Sequence, residues 1–89
     1  MIICEVRQGS REFVFASKYL IKEGTWVLCD TRYGKQPGQV VESFKVDDTD
    51  SKLYKKYLSC MGATEPLKEV IGIFVSMETL DGIRKRNRR

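Results

Sequence analysis

Apolar and polar positions alternate with a period of two through the first half of the chain and switch to helical spacing in the second. Ile2 to Arg7 (IICEVR) predicts a strand, and Gln8, Gly9 and Ser10 supply a turn into REFVFAS. There Phe13 and Phe15 fall on one face and Glu12, Val14 and Ala16 on the other, which predicts a hairpin buried on its Phe13–Phe15 side. Lys18 to Glu23 has room for one helical turn, ended by Gly24. TWVLCDT is rich enough in β-branched and aromatic residues to predict a third strand, partly covered on both sides. After RYGKQPG the run QVVESFKV predicts the next strand, with Val40 and Val46 sharing a face with Glu42 and Phe44. Pro37 cannot donate to a ladder, so that strand is expected to begin at about Gly38.

The pattern then changes. DDTDS reads as a turn in which Thr49 or Asp50 caps a helix over SKLYKKYLSCMG, with Leu53, Tyr57 and Met61 four apart and Tyr54 and Leu58 flanking them. Gly62 provides the stop. ATEPLKEV allows a helical turn opened by Thr64, with Pro66 in its first turn. The apolar run Val70 to Val75 predicts a central strand, the most buried in the protein, with Gly72 at a bulge or a close approach. Ser76 is placed to cap a last helix over METLDGIRKRNRR. Five strands and two helices predict an α+β fold: a small, partly open barrel with helical additions, or a curved antiparallel sheet.

Length and charge refine this picture. The 89 residues suffice for one hydrophobic core, so the chain is expected to form a single compact domain over residues 1–83 with a basic tail over residues 84–89. With 42% hydrophobic and 31% charged residues the composition is that of an ordinary folded domain. The net charge of +4 is unevenly spread: +2 over residues 1–46, −3 over 47–82 and +5 over 83–89. No run approaches the roughly 18 apolar residues that cross a bilayer, and MIICEVRQGS lacks the basic and apolar segments of a secretory signal. The expectation is a cytoplasmic protein without membrane association.

EGTWVLCDTRYGKQPGQVV resembles the glycine, strand, glycine-bearing turn and returning valine pair of SH3-like small β-barrels, including the KOW-type segments of ribosomal and transcription-elongation proteins. With the preceding REFVFASKYLIKEG it is also similar to the start of PSP1-type domains. The resemblance covers residues 2–46: Gly24 falls at the turn into the strand, Val27 at its apolar position, Gly34 in the turn, and Gly38, Val40 and Val41 on the return. Trp26, Tyr33, Pro37 and the acidic linker and helix after Val46 depart from the pattern. The resemblance implies a small barrel, a fold that serves nucleic-acid contacts, peptide contacts and scaffolding alike.

Catalytic chemistry is poorly supplied, and the expectation is a non-enzymatic protein with no catalytic residues. The chain has no histidine, which removes imidazole-based dyads and triads. Asp30 beside Cys29 would raise the thiol pKa, the wrong direction for a nucleophile. Cys4, Cys29 and Cys60 are too scattered for a zinc site and are expected as buried free thiols. Asp47, Asp48 and Asp50 lack the spacing, glycine and terminal glutamate of a calcium loop, and RYGKQPG lacks the lysine-serine or lysine-threonine end of a phosphate-binding loop. No metal and no small-molecule cofactor is expected.

Binding is the better-supplied class. Arg32 and Lys35 in the hairpin loop, with Arg7, Arg11 and Lys18 as neighbours, suit phosphate contacts, and Tyr33 offers a face for an unpaired base. Arg84, Lys85, Arg86, Arg88 and Arg89 add a sequence-independent electrostatic grip. The leading expectation is therefore a nucleic-acid-binding module. The alternatives are a protein-interaction or inhibitory adaptor using Trp26, Tyr54, Tyr57 and Met61 as an apolar site, and a structural domain that forms a homodimer through the same aromatics.

Overall fold

The computed structural model describes residues 1–74, and within them five strands and one helix. The strands are β1 (Ile2–Gln8), β2 (Arg11–Ser17), β3 (Trp26–Thr31), β4 (Gly34–Lys45) and β5 (Val70–Ile73); the helix is α1 (Lys52–Cys60). They form one antiparallel sheet in the order β2-β1-β4-β3-β5. The sheet does not close. Its two edges touch through a parallel bridge between Ala16 and Glu69, where the Ala16 amide donates to the Lys68 carbonyl at 2.8 Å. That contact requires the sheet to curl.

Each face of the sheet carries its own buried cluster. Cys4, Val6, Phe15, Ile21, Val27, Cys29 and Val40 form the first, inside the curl, with Val70 packed against them. Ile3, Val14, Tyr54 and Leu58 form the second, between the sheet and α1. The two-residue alternation of β1 explains the division, sending Cys4 and Val6 to one side and Ile3 and Glu5 to the other. It also corrects the expected face of β2: Phe15 is buried but Phe13 is exposed, while Val14, expected outside, lies under the helix.

β4 serves both clusters because of a bulge. Glu5 pairs with Glu42 but the next residue, Val6, pairs with Val40, leaving Val41 as the extra residue. The slip exchanges faces, so Val40 enters the first cluster while Phe44 and Val46 pack into the second. β4 also begins earlier than expected, at Gly34, with Pro37 inside it opposite Leu28. Val40 turns its amide to the Thr25 carbonyl and its carbonyl to the Gly24 amide, so by alternation Pro37 turns its nitrogen away from β3. On that side pairing with β1 begins only at Gln39, and no ladder loses a donor.

α1 is capped by Ser51, one residue beyond Asp50 and two beyond Thr49, the expected caps: its hydroxyl accepts from the Tyr54 amide at 3.1 Å. At the other end the Gly62 amide donates to Ser59 and the Ala63 amide to Leu58, a Schellman closure. Tyr54 and Leu58 form the buried seam, with Tyr57 and Met61 packed beside it, whereas Leu53 is 80% exposed. Phe44 and Tyr57 meet edge to face at 5.3 Å, and the Tyr57 hydroxyl donates to Glu5 Oε1 at 2.7 Å.

Three further expectations change. Lys18 to Glu23 and Thr64 to Glu69 are not helical; the first is a loop that plugs Ile21 into the inner cluster, its amide donating to Ser43 Oγ at 3.2 Å. β5 is an edge strand instead of a central one, with Ile71 44% and Ile73 50% exposed. The second expected helix, Val75 and the 84–89 tail lie outside the described residues.

Candidate functional site

A groove of about 850 Å³ opens where the β1–β2 turn, the β3–β4 turn and the segment from Met61 to Lys68 converge. Its apolar lining includes Phe13, Phe15 and Leu67. Around it stand Arg11, Arg32 and Lys68, and among the described residues no acidic side chain lines it. The nearest carboxylate in sequence to Arg11, Glu12, is bound to Arg7 at 3.0 Å.

The β3–β4 tip is fixed by local chemistry. Arg32 and Tyr33 occupy the centre of a four-residue turn closed by Thr31 and Gly34. Thr31 Oγ1 accepts from the Tyr33 amide at 3.1 Å and donates to the Gly34 carbonyl at 2.7 Å. Gly34 has a φ of +97°, which a side chain would strain. The turn holds Tyr33 75% exposed, with the Arg32 guanidinium 4.8 Å from its ring centre and donating to its hydroxyl at 2.7 Å. On the other hairpin the Arg11 guanidinium lies 5.7 Å from the Phe13 ring centre. The groove thus carries two arginine–aromatic pairs.

The structure separates the residues expected to act together. Arg32 and Tyr33 reach the groove; Lys35 pairs in register with Asp30 and alternates with the groove-lining Gln36, so it projects from the opposite face. Arg7 is held by Glu12, and Lys18 lines a smaller cavity of about 420 Å³ between Ser17–Tyr19 and Glu69–Ile73. Arg84, Lys85, Arg86, Arg88 and Arg89 lie outside the described residues. Of the expected apolar surface, Tyr54 is buried and Tyr57 and Met61 pack inward against the sheet. Trp26 is half-buried on β3, in neither cluster, and its indole nitrogen has no hydrogen-bond partner among the described residues.

Phe13 and Lys68 were not legible as site residues. Phe13 alternates like a core residue and is exposed because it sits on an edge strand at the open end of the curl. Lys68 reaches the groove through the return from α1 to β5, which no sequence pattern marks. The buried thiols lack activation: burial, with Glu5 adding, pushes Cys4 up to about 11, and burial, with Cys4 adding, pushes Cys29 up to about 12. Cys60 is exposed, contrary to expectation. Among the described residues there is no group of side chains suited to hold a metal ion, and no helix long and apolar enough to cross a membrane.

No family model, curated protein or solved structure matches the chain.

Proposed function

We propose that the protein is a non-enzymatic module that binds single-stranded nucleic acid in the groove between its hairpin tips. The observation that carries the reading is the groove's composition: three cationic side chains and an exposed tyrosine among apolar residues, with no acidic lining among the described residues. Cations supply the phosphate contacts, and exposed rings supply stacking that any base satisfies. Ring stacking requires an unpaired base, which favours a single strand over a duplex.

Titration of labelled single-stranded and duplex DNA and RNA at 50 and 200 mM salt tests this. Three phosphate contacts give a single-strand slope near −2 in log affinity against log salt, roughly a twentyfold loss between those concentrations. The tail cations would add to that slope. R11A/R32A/K68A is expected to flatten it by about 2. Absence of binding at the lower salt overturns the reading.

A protein-contact reading has support from other residues than those expected. Tyr19 and Leu20 are 66% and 63% exposed, and Tyr19 shares the smaller cavity with Ile71 and Ile73. Concentration-dependent light scattering, compared with Y19S/L20S, measures whether that surface joins copies of the chain.

A further inference from the structure

We infer that two copies of the chain join edge to edge through β5, pairing antiparallel about Gly72 so that their two sheets run on as one. The inference goes beyond the nucleic-acid reading and rests on the protein-contact reading above for its surface, to which it assigns a geometry.

β5 outruns its neighbour on one side. β2 ends at Ser17, one residue past the bridge from Ala16 to Glu69. There Ser17 Oγ accepts from the Tyr19 amide at 3.2 Å and donates to the Tyr19 carbonyl at 2.7 Å, and the chain turns away toward Ile21. β5 continues from Val70 to Ile73, and among the described residues no strand pairs with it on that side. The groups it leaves open follow from its ladder with β3. The Phe74 amide donates to the Trp26 carbonyl at 2.8 Å, and Gly72 lies opposite Leu28 two positions along each strand, so Gly72 too turns its amide and carbonyl to β3. The Ile73 amide and the carbonyls of Ile71 and Ile73 therefore point away from β3.

The edge is complementary to itself. Val70 to Phe74 (VIGIF) carries no charge, whereas the other edge of the sheet opens with Arg11 and Glu12 and is bridged at Ala16. Antiparallel pairing about Gly72 sets Ile71 of each copy opposite Ile73 of the other, and each Ile73 amide then meets an Ile71 carbonyl. Ile73 shares the side of the sheet taken by Val27, and Gly72 the side taken by Leu28, so Ile71 and Ile73 lie on one face, both half-exposed. The two-fold pairing lays the four isoleucines side by side on that face, where Tyr19 lines the small cavity with them. Each copy has one such edge, so the assembly closes at two.

Sedimentation velocity from about 10 μM to about 1 mM, with amide hydrogen exchange at both ends of that range, tests the pairing. A short edge makes a weak interface, so the unmodified chain is expected to pass from monomer to dimer within the range. The Gly72 and Phe74 amides are expected to be protected throughout, and the Ile73 amide only where the dimer is populated. Ile73→Pro removes the outward donor without touching a bond to β3, and is expected to weaken dimerisation roughly tenfold through one lost bond in each copy. A monomer at every concentration overturns the inference and the protein-contact reading together. A dimer whose Ile73 amide still exchanges freely, or that I73P forms as well as the unmodified chain does, overturns the inference and leaves that reading standing through Tyr19 and Leu20. Protection of the Ile73 amide at the lowest concentration, where the chain is monomeric, means that the edge is covered within one copy and overturns the inference as well. The exchange measurement uses the unmodified chain, so it decides the matter even if I73P misfolds.

Discussion

Val6 and Gly38 lie so close that a β-carbon on Gly38 would overlap the Val6 side chain and stand 3.0 Å from the Arg7 carbonyl oxygen. The contact is where β4 crosses from its pairing with β3 alone to its pairing with both neighbours, and it brings the hairpin that carries Tyr33 against the hairpin that carries Phe13. Gly38→Ala is expected to destabilise the fold by about 1–3 kcal/mol, because Val6 is fully buried and a backbone oxygen cannot yield. Urea unfolding followed by fluorescence measures it. An unchanged midpoint would show that the strands separate there at no cost.

The seam of α1 runs through Tyr54 and Leu58 and leaves Leu53 in solvent. Leu58→Ala is therefore expected to cost about 2–4 kcal/mol, and Leu53→Ala no more than about 0.5 kcal/mol in either direction. Equal losses in thermal or urea melts would place both leucines on the packed face. Ser51→Ala is expected to cost about 1 kcal/mol through the lost cap, and Thr49→Ala much less.

Periodicity and glycine placement made the strands and helix legible, but the assignment of faces was not, for reasons visible in particular residues. Leu53, Tyr57 and Met61 make as regular a stripe as the true seam, and only the position of the sheet decides between them. The bulge at Val41 breaks the parity that linked Val40 to Phe44, and nothing in QVVESFKV marks it. Pro37 misled in the same way: its missing donor excludes it from a doubly paired strand, but it sits where β4 has a neighbour on one side only. Tyr33 and Arg32, which line the groove, were legible as candidates because the turn has no use for their chemistry. Phe13 and Lys68 owe their place to the curl of the sheet, a property of the whole fold.

The buried thiols predict a loss of stability in alkali. Cys4 and Cys29 are pushed from 9.0 up to about 11 and about 12, chiefly by burial. Below pH 9 both thiols are protonated in the folded and the unfolded chain, and the full contribution is present. Above pH 9 the unfolded chain releases thiol protons that the folded chain keeps, so stability falls as pH rises toward 11 and 12, by at most about 1.4 kcal/mol per pH unit for each thiol. Tyr57, whose hydroxyl burial and Glu5 together push upward, steepens the decline above pH 10. Urea midpoints at pH 8, 9, 10 and 11 are expected to fall less steeply for Cys4→Ala/Cys29→Ala than for the unmodified chain. Parallel slopes would assign the decline to other groups.

Lys35 and Arg32 are three positions apart at one hairpin, yet the structure gives them opposite surroundings. Arg32 stands at the groove against Tyr33, while Lys35 points from the other face opposite Asp30. Neither supports a core, so both substitutions leave the fold in place and separate the groove from the opposite face as the proposed binding surface. Arg32→Ala is expected to lower single-strand affinity about tenfold at 50 mM salt and to reduce the salt slope by about 0.7, the share of one phosphate. Lys35→Ala is expected to change the slope by much less, acting through long-range charge alone, which the roughly 10 Å screening length at 0.1 M salt suppresses. Equal effects would mean that the ligand wraps around the hairpin tip and touches both faces of β4. A larger effect of Lys35→Ala would move the binding surface off the groove altogether.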